Sequence, residues 1–117
     1  MIAGINASVS ALNAYGRKFQ STANNTANID TDGYKKTRVT MSEAANGSVE
    51  AKSEKVNSPS PIVSELTSEG SVLVEKSNVD LAQEVTNQIL AARGYEANLA
   101  SVKAFDEMLG STLDLIK

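Results

Sequence analysis

The last third of the chain does most to limit what it can fold into. From Ser77 to Lys117 there is no proline and there are only two glycines, and apolar or small residues return at alternating steps of four and three: Leu81, Val85, Ala92, Tyr95, Leu99, Val102, Leu109, Leu113 and Ile116. Gln88 and Asp106 take the two places where the same count meets a polar residue. A sustained seven-residue repeat marks a helix that buries one stripe against another helix, because the stripe then winds slowly around the axis. Asn78 or Ser77 is placed to cap the first turn, and Asp80 and Glu84 suit the positive end of the helix dipole. At about 1.5 Å per residue such a helix runs to roughly 55 Å, which is long for a compact domain of this size. The stripe is also wide. Phe105, Met108 and Leu115 flank it on one side and Ile89 on the other, so apolar surface covers roughly half the circumference, more than one partner helix hides. Apolar surface left open usually marks an interface, so the pattern by itself predicts self-association.

Residues 4–28 carry a second, weaker version of the pattern through Ile5, Val9, Leu12, Gly16, Phe19, Ala23 and Thr26. Its large anchors are only Ile5, Val9, Leu12 and Phe19, and Gly16 costs about 1 kcal/mol of helix propensity relative to alanine. A helix of this kind is marginal alone and draws its stability from a packed face. Asn24, Asn25 and Asn28 suit a helix end better than a helix interior, and Asp32-Gly33 supplies a tight turn beyond it. The helix is therefore expected to end between about Asn25 and Ile29.

Between the helices, Val49–Lys52 and Ser71–Lys76 read as strands, with Val39–Met41 as a third. Gly47, the Pro59 and Pro61 segment, and Glu69-Gly70 are turn or loop signals. The expectation is a small β-hairpin or three-stranded patch, with partial disorder as the alternative, in a segment too short for a core of its own. The whole reads as mainly α: residues 1–38 form an N-terminal helix and turn, 39–76 a small β-rich or irregular insert, and 77–117 the long C-terminal helix. A short connection makes an antiparallel, coiled-coil-like pair the simplest arrangement of the two helices.

Composition removes several function classes. With no cysteine and no histidine, the chain lacks thiolate metal sites, disulfides, the commonest general base and the commonest zinc ligand. Asp106-Glu107 and Asp30 with Asp32 are paired carboxylates, but no nucleophile or base accompanies them, so an enzyme is a distant reading and no cofactor is expected. The net charge of −3 gives no reason to expect nucleic acid or an anionic membrane. Its distribution is uneven: residues 1–38 carry five basic and two acidic side chains, and the rest carry six and twelve. Opposite signs favour pairing of these segments with each other or with neighbouring copies. No stretch has the roughly 18 apolar residues of a membrane span, and the N-terminus lacks the pattern of a cleavable signal peptide, so direct membrane insertion is not expected.

Two stretches resemble a known family. SALNAYGRKFQSTANNTANIDTDGYKK is similar to the rod motif of bacterial flagellar axial proteins, in which an amphipathic helix runs into A-N-N-x-A-N-x-x-T-x-G-Y; Ala23, Asn24, Asn25, Ala27, Asn28, Thr31, Gly33 and Tyr34 carry the match. NVDLAQEVTNQILAARGYEANLASVKAFDEMLGSTLDL is similar to the partner motif of the same proteins, through Asn78, Val79, Asp80, Leu81, Glu84 and the run Arg93, Gly94, Tyr95, Glu96, Ala97, Asn98. Together they cover about two thirds of the sequence, and the middle resembles that of the proximal rod proteins. Gly94 is a departure, since alanine would suit a helix better there.

The resemblance implies a structural subunit of the flagellar basal-body rod that pairs its terminal helices and stacks them into an axial polymer. It implies the chain itself, other flagellar axial proteins and the flagellar export apparatus as partners. It also implies a place in the periplasmic rod, reached without a cleaved signal peptide. Asn24, Asn25, Asn28, Thr31, Gly33, Tyr34, Asn78, Asp80, Tyr95, Glu96 and Asn98 become the assembly motif by the same resemblance. Some of them also read as ordinary structure: the asparagines equally as poor helix formers at a helix end, and Tyr95, which sits on the seam, as packing before contact. The competing class is a non-polymerising helical-hairpin adaptor or secreted binding module.

Overall fold

A computed structural model describes residues 2–116. It orders six elements along the chain: α1 (Ile2–Ala27), β1 (Thr37–Glu43), β2 (Val49–Lys55), β3 (Ile62–Thr67), β4 (Gly70–Glu75) and α2 (Leu81–Asp114). The body is a rod of 81 × 25 × 18 Å. α1 and α2 lie side by side and antiparallel, with Gly4 against the Phe105 ring and Gly94 against the Tyr15 ring.

The insert is two antiparallel hairpins rather than one hairpin or a three-stranded patch. β1 pairs with β2 in a register that sets Thr37 opposite Lys55 and Glu43 opposite Val49. β3 pairs with β4, with Ile62 opposite Glu75 and Thr67 opposite Gly70. The unexpected strand is β3. Pro59 and Pro61 precede it rather than interrupt it, which is where a strand tolerates proline. Gly70 closes the second hairpin at φ +125°, a conformation that favours glycine. The first hairpin packs on α1, while among the described residues β3 and β4 pack on neither helix nor the first hairpin.

The start of α2 also differs from expectation. Asp80, not Asn78 or Ser77, is the N-cap: its Oδ1 accepts from the amides of Ala82 at 3.0 Å and Gln83 at 3.4 Å. Ser77 instead accepts from the Val79 amide, and Asn78 is turned to another task described below.

Buried residues are small or polar. Among the described residues the buried apolar side chains are Ala11, Ala14, Val39 and Ala91, joined by Ser21, Thr22, Asn25, Ser77 and Glu84. On α1 the buried positions 11, 14, 21 and 25 keep a seven-residue rhythm, but on a face offset from the larger Ile5–Val9–Leu12–Phe19 line. On α2 the face turned to α1 runs through Glu84, Ala91, Asn98 and Phe105. Small residues let two helix backbones approach closely, and tyrosine and phenylalanine rings then lie across glycines of the opposite helix.

Candidate assembly site

Residues of the two terminal motifs converge on one junction, where the end of α1, the start of β1 and the start of α2 meet. Asn25 is its centre, with 1% of its surface exposed. Its Nδ2 donates to the Thr37 carbonyl at 2.8 Å, and its Oδ1 accepts from the Thr37 amide at 2.9 Å and from the Tyr34 hydroxyl at 3.1 Å. One side chain thus pairs both backbone groups of the first residue of β1, as a neighbouring strand would. Ser21 Oγ adds a second donor to the same carbonyl, at 2.9 Å.

Asn78 does the same work from the other motif. Its Oδ1 accepts from the Lys36 amide at 2.7 Å, and its Nδ2 donates to the Val56 carbonyl at 2.8 Å. It therefore ties the strand entering the first hairpin to the strand leaving it, just before α2 begins. Thr31 Oγ1 donates to Asn28 Oδ1 at 3.1 Å, and Asn28 Nδ2 donates to the Asn24 carbonyl at 2.8 Å, closing off the end of α1. Gly33 turns with φ +67° and donates its amide to the Glu75 carbonyl at 2.8 Å.

Two lysines tether the second hairpin to this junction. Lys35 Nζ lies 2.6 Å from Glu75 and 2.8 Å from Ser60 Oγ. Lys76 pairs with Asp32 at 2.8 Å and with Glu65. The hydrogen bond from Lys35 holds the Glu75 carboxyl below its ordinary range, and the bonds to Asp32 and Glu65 push the Lys76 ammonium above its own.

Of the remaining motif residues, Asn24 borders the junction with its side chain exposed. Tyr95 and Glu96 lie apart from it and are exposed, Glu96 3.0 Å from Arg93 one turn earlier. Asn98 is half-buried and donates to the Gly94 carbonyl at 2.8 Å. Of the four-three seam, Ile5, Leu12 and Val102 are half-buried between the elements, whereas Val9, Phe19, Leu81, Val85, Leu99, Leu109, Leu113 and Ile116 stand exposed. Phe105 and Val102 apart, the large apolar residues of α2 are turned outward because small side chains on another stripe make most of the intramolecular contact.

Two side chains were not singled out by sequence as site residues. Tyr15 lies where a Cβ on residue 94 would fall, 2.3 Å from its ring, so the glycine that spoils helix propensity is what admits the ring. Glu84 is buried, and its Oε2 has no hydrogen-bond partner among the described residues. It faces a cavity of about 260 Å³ lined also by Lys18, Lys36, Arg38 and Gln83. In the sequence it stands out for its place at the positive end of the helix dipole and in the C-terminal motif, and neither reveals its burial. A second, apolar groove of about 310 Å³ opens between the helices at Tyr15, Phe19, Ala91, Ala92 and Tyr95.

Residues 5–35, which contain α1 and the Asn25 turn, match the family described as flagella basal body rod protein. Residues 71–115, from β4 through α2, match the one described as flagellar basal body rod FlgEFG protein C-terminal. The chain belongs to the flagellar rod and hook family. Both matches are to families of structural flagellar proteins. Curated relatives include the flagellar hook protein FlgE of Escherichia coli K12 and those of Salmonella typhimurium LT2 and Salmonella typhi. Each is 40% identical over 42 residues, which is 36% of this chain and 10% of the relative. The match therefore spans about a tenth of those proteins' length. No helix of the described residues is long and apolar enough to cross a membrane.

Proposed function

We propose that the chain is a subunit of the flagellar basal-body rod that polymerises through its paired terminal helices into the axial structure. The observation that carries this reading is the inversion of the usual apolar distribution. Among the described residues the buried apolar side chains are three alanines and a valine, while Leu81, Val85, Ile89, Leu99, Leu109 and Leu113 stand exposed along one helix. A surface of this kind is stable in water when copies cover it. The same reading makes other flagellar axial proteins neighbours of the chain, the flagellar export apparatus its route, and the periplasmic rod its location. The seam and the exposed motif residues Asn24, Tyr95 and Glu96 are then contacts between subunits, while Asn25 and Asn78 shape the subunit that presents them.

The test is self-association under substitution. Leu99→Asp or Leu109→Asp alters an exposed side chain, so the chain is expected to stay helical while light scattering reports loss of multimers. A wild-type chain that stays a fully helical monomer at every concentration would overturn the reading in favour of a non-polymerising adaptor.

A further inference from the structure

Glu84 is 4% exposed, and its Oε2 has no hydrogen-bond partner among the described residues. It stands in the wall of the 260 Å³ cavity, to which α1 contributes Lys18, the start of the first hairpin Lys36 and Arg38, and α2 also Gln83 and Asn87. A carboxyl and three bases around one cavity would ordinarily pair. Here they do not. Among the described residues the ion pairs use Lys35, Lys76 and Arg93, and neither Glu84 nor a cavity base takes part. Glu54 stands opposite Arg38 in the β1–β2 ladder and makes no ion pair with it either. Lys36 Nζ donates one proton to Gln83 Oε1 at 2.7 Å and keeps two to give.

The cavity therefore holds unused donors and an unused acceptor, set too far apart to meet. A buried polar group without a partner is costly and rare, so this arrangement points to something that bridges the gap. The volume has room for a small ion with some waters, since a water's share of liquid volume is about 30 Å³. Whatever bridges must accept from lysine and arginine and donate to the carboxyl. Three bases against one carboxyl also give the wall a formal charge of +2. A zwitterion such as a free amino acid meets the hydrogen-bond demand and leaves that charge uncompensated. Sulfate, and a phosphate monoester as its dianion, have the charge but no proton to give. Hydrogenphosphate has both, two negative charges and one P–OH. The last torsion of a glutamate is broad, so the carboxyl can turn either oxygen toward that proton.

We propose that this cavity binds inorganic phosphate as hydrogenphosphate, its hydroxyl donating to Glu84 and its oxygens accepting from Lys18, Lys36 and Arg38. The bound ion ties α1, the first hairpin and α2 together and stabilises the folded chain by mass action. The site stands whether or not copies polymerise.

Isothermal titration calorimetry of the full chain in mildly alkaline buffer, where hydrogenphosphate prevails, reads the site. Sodium phosphate is expected to give saturable one-to-one binding, and sodium sulfate at matched ionic strength binding weaker by about tenfold or more, because it leaves the carboxyl unpaired. Glu84→Gln puts an amide of the same shape in place of the carboxyl, and that amide donates to an oxyanion without a proton. In this variant sulfate is expected to bind as well as phosphate. Lys18→Met keeps the aliphatic stem, and phosphate affinity is expected to fall about tenfold or more at unchanged helicity. Equal binding of the two anions by the wild-type chain, or a phosphate preference that survives Glu84→Gln, overturns the site. So does the absence of saturable binding at millimolar phosphate, which leaves the cavity to water. If circular dichroism shows that Glu84→Gln does not fold, Lys18→Met decides, and an unchanged phosphate affinity overturns the site.

Discussion

At the scale of single residues, two side chains show how a chain without a bulky core holds its shape. Asn25 substitutes for a strand by pairing both backbone groups of Thr37. Asn25→Ala leaves that amide without a partner and the carbonyl with Ser21 alone, in a buried place, and should cost about 2–4 kcal/mol by urea unfolding. Asn25→Asp keeps the acceptor for Thr37 and Tyr34 but sets a carboxylate against the Thr37 carbonyl, so it should be no better than alanine despite its shape. Gly94 makes the complementary point. Alanine there gains up to about 1 kcal/mol of helix propensity, yet its Cβ meets the Tyr15 ring, and overpacking of that kind costs about 1–3 kcal/mol. Gly94→Ala is therefore expected to destabilise the helix pair. Combined with Tyr15→Ala, which removes the obstacle, it should cost less than the sum of the two single changes in a double-mutant cycle.

Among the elements, the helices were the legible part of the sequence and their contact face was not. Heptad spacing locates α1 and α2 to within a few residues, because the period of apolar side chains follows directly from helix geometry. It does not say which stripe turns inward. Here alanine, glycine and serine permit a closer approach than the leucines would, and a hydropathy count passes over them. The same limit explains Asn78: its side chain suits a helix cap, and only the convergence of residues 36, 56 and 78 in space reveals a different partner. Strand β3 was hidden by the prolines before it. The second hairpin packs on no other element among the described residues, and Leu66 on it is 90% exposed, so its attachment relies on its lysine tethers and the Gly33–Glu75 backbone bond. A two-stranded hairpin alone is marginal in water. The pH dependence follows from these tethers. The Glu75 carboxyl lies below its ordinary 4.5, so its contribution is complete above that value and is lost as pH falls through the lowered one. The Lys76 ammonium lies above its ordinary 10.5, so its contribution is complete below that value and is lost as pH rises through the raised one. Amide exchange of β3 and β4 should accelerate, relative to that of α1 and α2, in acid below the ordinary carboxylate range and again in base above the ordinary ammonium range. Lys35→Met should weaken the acid limb and leave the basic one unchanged.

For the whole molecule, the balance between buried and exposed apolar surface decides when the rod is ordered. Each helix is long, yet what they bury between them is small, and most helical stability in proteins comes from a packed face. An isolated copy holds its junction through Asn25, Asn78 and the lysine tethers, all gathered at one end of the helix pair. At the opposite end, the turns around Gly4 and Phe105 and the tip beyond them have no such tie. Fraying should therefore start at the tip and run toward the junction. In a concentration series, helicity and mass are expected to rise together, because each added copy covers apolar turns that a free copy leaves in water. The gain in helix should be confined to α2 beyond about Phe105 and to the first turns of α1, which residue-resolved amide exchange reads directly. Protection appearing first at Asn25 and Asp80 as mass increases would reverse the order, and would mean that the junction, rather than the tip, is what assembly organises.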